Sequence, residues 1–82
     1  MRLDKYLKIS RIIKRRTVAN DACGAGRVSI NGKVAKPAHD VKVGDIIEIR
    51  FGSNITTAEI ISVNERASKS DAQFMYRLIK EE

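Results

Sequence analysis

The sequence predicts an α+β fold in which two N-terminal helices pack on a small, mostly antiparallel sheet. Three observations carry that reading. Apolar residues fall at helical spacing only in the first part of the chain. From Val28 onward, β-branched residues recur in short alternating runs. Those runs are separated by Asn31-Gly32, Gly44-Asp45 and Gly52-Ser53-Asn54, the residue types that tight turns need. Helices first and strands afterwards is the order of an α+β domain. The 82 residues are expected to form one domain with a small core.

Each element has its own local reason. Basic residues recur at positions 2, 5, 8, 11 and 14, beside the apolar Leu3, Tyr6, Leu7, Ile9, Ile12 and Ile13. On one straight helix a period of three drifts around the axis, because a turn takes about 3.6 residues. A break at Ser10, whose hydroxyl competes for backbone hydrogen bonds, keeps the charges on one surface. The spacing therefore predicts a first helix near residues 3–9 and a corner through 10–16. Thr17 is the expected N-cap of a second helix. Val18, Ala19, Ala22 and Cys23 form its apolar face, and Gly24 and Gly26 end it. Val28 and Ile30 predict a strand, Asn31-Gly32 a two-residue hairpin, and Lys33 and Val34 the return. Lys36-Pro37-Ala38 breaks that return strand. A strand over Ile46–Phe51 follows, with Ile47 and Ile49 on one face and Ile46 on the other. Thr56–Val63 reads as the next strand. Ser70 reads as the cap of a short helical turn before an extended MYRLI segment, with one continuous helix as the alternative.

The charge is lopsided. Residues 1–16 carry seven bases, Arg2, Lys5, Lys8, Arg11, Lys14, Arg15 and Arg16, against Asp4, while residues 17–82 are neutral with nine of each sign. The whole net charge of +6 thus sits at one end. Such a directed field suits a polyanion, either nucleic acid or an anionic membrane surface. No apolar run reaches the roughly 18 residues that span a bilayer. Charges interrupt the first segment too often for a signal peptide. A cytoplasmic protein is the expectation. Lys14, Arg15 and Arg16 stand just before the second helix, whose N-terminus is itself partly positive. They gain favourable company there from an anion, and Arg16 is the first choice for a phosphate contact.

Chemistry beyond binding is not encoded in any motif. Cys23 is a single cysteine and reads as a small buried hydrophobe. His39 is the only histidine, and with Asp40 it reads as a surface pair, so no metal site is expected. No phosphate-cradling loop, nucleophile elbow or zinc-protease helix occurs. No enzyme and no cofactor is expected. The four aromatics, Tyr6, Phe51, Phe74 and Tyr76, are scattered and form no paired stacking motif. A helix-backed basic cluster favours structured RNA, read through phosphates and shape. Five to seven phosphate contacts imply a slope of log K against log salt of about −4 to −6.

The run RLDKYL, then SR, then GRVSINGKVAKPAHDVKVGDIIEI resembles the alpha-L RNA-binding motif, named after small-subunit ribosomal protein S-four. The resemblance spans about residues 1–50, with 51–82 as a C-terminal strand extension. It implies an RNA-binding groove on the helical face. The family's RNA-facing positions fall on Arg2, Lys5, Arg11, Arg15, Arg16 and Arg27. The neighbouring Lys8, Lys14, Thr17 and Lys33 complete the candidate set. Asp4 is also a family position, with a structural role implied: capping, or orienting a neighbouring base. MRLDK, IIKRRT, INGK, the Phe51-Gly52 turn and the final MYRLIKEE further resemble the freestanding RqcP (YabO) family. That resemblance implies a part in bacterial ribosome-associated quality control. The implied partners are large-subunit rRNA, peptidyl-tRNA and an RqcH-type factor that adds alanine tails to stalled chains. It also implies a monomer when free, with Arg2 and Arg16 as the principal RNA contacts. The rival branch is the small heat-shock relative, whose members carry a basic C-terminal extension where this sequence has Glu81-Glu82. An RNA-binding appendage of a modifying enzyme is a further alternative.

Overall fold

The structure is a computed structural model that describes all 82 residues. Helix α1 spans Leu3–Ile9 and α2 spans Arg16–Gly24. Five strands follow: β1 Val28–Ile30, β2 Lys33–Val34, β3 Ile46–Phe51, β4 Asn54–Ile60 and β5 Tyr76–Glu81. They form one sheet in the order β2-β1-β3-β4-β5, antiparallel at every pairing. No helix is long and apolar enough to cross a membrane.

Leu3, Tyr6 and Leu7 sit three and four positions apart on one face of α1, and all three are fully buried. They meet Ala19, Ala22 and Cys23 of α2 and Val28, Ile47, Ile49, Ala58 and Ile60 of the sheet in a single core cluster. The alternation along β3 is as expected, with Ile47 and Ile49 inward and Ile46 half-buried on the other side. Tyr6 reaches across the core, and its hydroxyl donates to the Met75 carbonyl at 2.8 Å.

The hairpin follows from its two turn residues. Asn31 (φ 52°) and Gly32 (φ 84°) take the left-handed conformations of a tight turn and set Ile30 opposite Lys33. Asn31 then clamps the turn to β3. Its Oδ1 accepts from the Ile46 N–H at 2.9 Å, and its Nδ2 donates to Asp45 at 3.1 Å.

Ser10 ends α1 as its spacing implies. Its hydroxyl is buried and donates to the Leu7 carbonyl at 3.2 Å, and the Ile12 N–H donates back to it at 3.5 Å. Arg11 then adopts φ 64°, a left-handed corner that the residue type does not announce.

Three boundaries differ from the sequence expectation. Thr17 is not an N-cap: α2 begins at Arg16, and Arg15 holds the cap position without a side-chain bond. The helix thus starts two residues earlier than expected, and its first residue, Arg16, stands 3.6 Å from Asp4 on α1. β4 runs Asn54–Ile60 instead of 56–63. Gly52 (φ 59°) closes the turn in two residues, so Asn54 already pairs with Phe51. At the other end, the Ile61 and Ser62 N–H groups turn away to the Met75 carbonyl. Ser70 caps nothing. The short turn Ala72–Phe74 is closed by Ser68, whose hydroxyl accepts from the Asp71 N–H and donates to the Asp71 carboxylate.

Candidate nucleic-acid interface

The site grows from the N-terminus of α1. A helix start leaves its first N–H groups without intrahelical acceptors. Here the 37–40 loop supplies them: Leu3 N–H donates to the His39 carbonyl at 2.8 Å and Asp4 N–H to the Pro37 carbonyl at 3.1 Å. Arg2 pairs with Asp40 in an isolated β-bridge. The backbone under Arg2 is therefore held by the loop, and the next N–H of the turn, that of Lys5, goes to the Asp4 carboxylate.

Asp4 faces inward between the helices, with its side chain 3% exposed. A buried carboxylate is costly unless charge and hydrogen bonds meet it. Here they do. Arg2 donates from Nε at 3.1 Å and from Nη2 at 3.2 Å, a bidentate grip. The Lys5 N–H donates at 2.8 Å and Asn20 Nδ2 at 3.1 Å. Arg16 Nη2 stands 3.6 Å away. Burial works to raise the Asp4 pKa, but the hydrogen bonds from Arg2, Asn20 and the Lys5 backbone, with the Arg16 charge, outweigh it and leave it lowered.

One carboxylate thus holds two guanidiniums, one from each helix. Both remain half-exposed, Arg2 at 50% and Arg16 at 49%. Two hydrogen bonds fix the inner edge of Arg2, charge attraction at 3.6 Å holds Arg16 nearby, and both keep exposed donors. The N–H groups of Arg16, Thr17 and Val18 in the first turn of α2 also lack a protein acceptor. Two oriented guanidiniums beside an open helix N-terminus can seat phosphate oxygens.

The other candidates divide. Lys8, Lys14 and Arg15 are exposed and belong to no ion pair. Lys5 is committed elsewhere: its Nζ lies 3.1 Å from Glu65, which holds the Glu65 carboxyl below its ordinary range. Arg11 leaves the cluster and lines a groove over β3–β5. Arg27 sits in a shallow groove with Val18, Asp21 and Phe51. Lys33 stands on the hairpin beside Lys42 and His39, in an open groove of about 550 Å³. Asp40 binds the N-terminal ammonium at 2.7 Å, not His39. Sequence reasoning missed Asn20. Its signal was available, because Asn20 lies four residues after Arg16 and so shares its helix face.

The S4 domain family model matches residues 1–47, which places the chain among proteins with that RNA-binding domain. A "RQC P-site tRNA stabilizing factor" of Listeria monocytogenes is 56% identical over the whole chain, which covers 89% of that relative. One of the same name from Halalkalibacterium halodurans is 51% identical, again over the whole chain and 93% of the relative. The trimeric crystal structure of heat shock protein 15 of Vibrio cholerae superposes with a TM-score of 0.86 at 35% identity, covering 96% of this chain and 81% of that one. The chain belongs to the family of RQC P-site tRNA stabilizing factors, RqcP or YabO, within the S4-domain proteins.

Proposed function

We propose that this chain is a non-catalytic RNA-binding factor that stabilises P-site tRNA on large ribosomal subunits obstructed by peptidyl-tRNA. It bridges tRNA and large-subunit rRNA, and supports alanine tailing by an RqcH-type factor. It works in the cytoplasm as a single-domain monomer.

The observation that carries this reading is the Arg2–Asp4–Arg16 cluster. A long cationic side chain normally loses conformational freedom when it grips a phosphate. Asp4 has already taken much of that freedom from Arg2 by two hydrogen bonds and draws Arg16 toward the same place by charge, so their remaining donors bind at lower cost. Lys8, Lys14 and Arg15 add screened, long-range attraction. A factor that must leave after each tailing cycle is better served by such exposed contacts than by a deep pocket. The names of the relatives support the same reading.

Sedimentation of tagged protein from lysate on a sucrose gradient tests it. Wild type is expected with large subunits that retain peptidyl-tRNA. Arg2→Ala/Arg16→Ala is expected at the top of the gradient. Lys80→Ala is expected to behave as wild type, because Lys80 is already paired with Glu82 at 2.6 Å on the last strand. Wild type at the top, or spread indiscriminately over intact ribosomes and DNA, would sink the proposal. A heat-shock-type rescue role is the second reading, favoured by the superposition on heat shock protein 15. Unchanged association in cells lacking the tailing factor, with no loss of alanine tails when this protein is removed, would favour it.

A further inference from the structure

Phe51 and Tyr76 are 25 positions apart in the chain, yet the fold brings both to one groove. The groove encloses about 300 Å³ beside the Ser10–Ile13 corner, on the side of β3–β5 that the core also uses. Ile12, Ile49, Ala58 and Leu78 complete its apolar lining. Phe51 is 40% exposed and Leu78 50%, so this surface lies open. Arg11 and Glu81 also line it, and neither takes part in an ion pair. The left-handed backbone at Arg11 and its N–H bond to the Lys8 carbonyl at 3.1 Å fix the corner from which that side chain departs.

The chemistry of the lining selects its occupant. A phosphate matches Arg11 but is repelled by Glu81. An aliphatic side chain fills the slot but leaves both charges unmatched. A nucleobase has a flat face for Phe51 and a polar edge for the two charged groups. Arg11 offers donors only, and Glu81 acceptors only. Guanine matches both, with O6 as an acceptor and the N1–H and N2–H groups as donors. Adenine presents no carbonyl oxygen for the arginine and no paired donors for the carboxylate. We propose that this groove receives an unstacked guanine from a single-stranded segment of the bound RNA. The inference rests on the RNA-binding reading and adds base selectivity to it.

Two RNA hairpins with one common stem, a guanine loop in one and an adenine loop in the other, test the idea by fluorescence anisotropy at fixed salt. Wild type is expected to prefer the guanine loop by about 5- to 100-fold. Glu81→Gln is expected to erase most of that preference, read as the ratio of the two loop affinities of the same variant, so that the change in net charge cancels. Phe51→Ala is expected to weaken both loops about 5-fold or more without changing affinity for the blunt stem. If Phe51→Ala lowers the melting temperature, Glu81→Gln decides, since its carboxylate is exposed and unpaired. Equal wild-type affinity for the two loops, or an intact preference in Glu81→Gln, overturns the guanine site. Arg2→Ala/Arg16→Ala keeps that failure separate. If it weakens both hairpins while no loop preference exists, only the groove falls. If it binds both as wild type does, the RNA-binding cluster itself is misread.

Discussion

Replacing Asp4 by Asn separates two effects that a basic protein usually confounds. The substitution raises the formal net charge from +6 to +7. If attraction to RNA were set by net charge alone, binding would tighten. The geometry predicts the opposite. Asn has a single acceptor oxygen, so it cannot hold Arg2 in a bidentate grip while also accepting from Asn20 and the Lys5 N–H. Losing the bonds to the buried charge costs about 1.5 kcal/mol. The guanidiniums are half-exposed, so their share stays in the surface-pair range of about 0–1 kcal/mol. Removing an acid from the first turn of α1 adds about 0.3–1 kcal/mol. The expected loss of folding stability is about 2–3 kcal/mol, read as a lower urea midpoint with unchanged slope. Freed of their anchor, Arg2 and Arg16 must be ordered by the ligand, at about 0.5–1.5 kcal/mol each. Affinity for purified large subunits should fall about 10-fold, measured at low salt and well below the melting temperature. Equal or tighter binding by a folded Asp4→Asn protein would refute the positioning argument and leave only the net field.

Three further outcomes follow from the core and its charges. Tyr6→Phe removes a buried hydrogen bond to the Met75 carbonyl, but that oxygen keeps the Ile61 and Ser62 N–H donors, so the cost should be only about 1 kcal/mol by denaturation. A loss above about 3 kcal/mol would mean that the hydroxyl supports more than this one bond. The Cys23 thiol is buried and its pKa is pushed up to about 11, chiefly by burial, so it should react with a thiol reagent only as fast as the protein opens. Rapid modification of folded protein at neutral pH would contradict the packing of α2. The Asp4 carboxyl titrates below its ordinary range when folded, so the unfolded chain takes up the proton first. Its stabilisation is complete above the ordinary carboxylate range and is lost as pH falls through the lowered native value. An acid titration of stability should lose a corresponding step in Asp4→Asn, and an unchanged profile would show that Asp4 contributes none of it.

What could be read from the sequence was what neighbouring residues decide among themselves. Asn31-Gly32 specifies its turn because only a few residue types tolerate positive φ, and the hairpin appears where that rule puts it. Ser10 stops α1 through its own hydroxyl, within three residues. Ile47 and Ile49 face inward because a strand alternates. The concentration of charge in residues 1–16 needs only counting, and the spaced run of family residues needs only reading along the chain. Some boundaries failed for local reasons, at Gly52 and Ser68, and others where a distant partner stands close. Arg16 enters α2 toward Asp4, and β4 ends where its neighbours turn to Met75.

The candidate surface was only half legible for the same reason. The sequence singled out Arg16 beside the second helix, and the family resemblance added Arg2, but neither says how the seven cations of the first sixteen residues are held. Asp4 joins Arg2 to Arg16 and Asn20 because α1 and α2 pack together. Lys5 is withdrawn by Glu65, sixty residues away. Arg11 is sent to a groove that Phe51, Tyr76 and Glu81 reach only after β3, β4 and β5 have paired. By itself the sequence determined the turns, the inward faces and the sign and location of the field, because these depend on backbone sterics and on charge. Which cations gather on Asp4 across the helices, which are neutralised and which share a groove with aromatics was decided by packing, since Arg16, Lys5 and Arg11 each meet segments that nothing local brings to them.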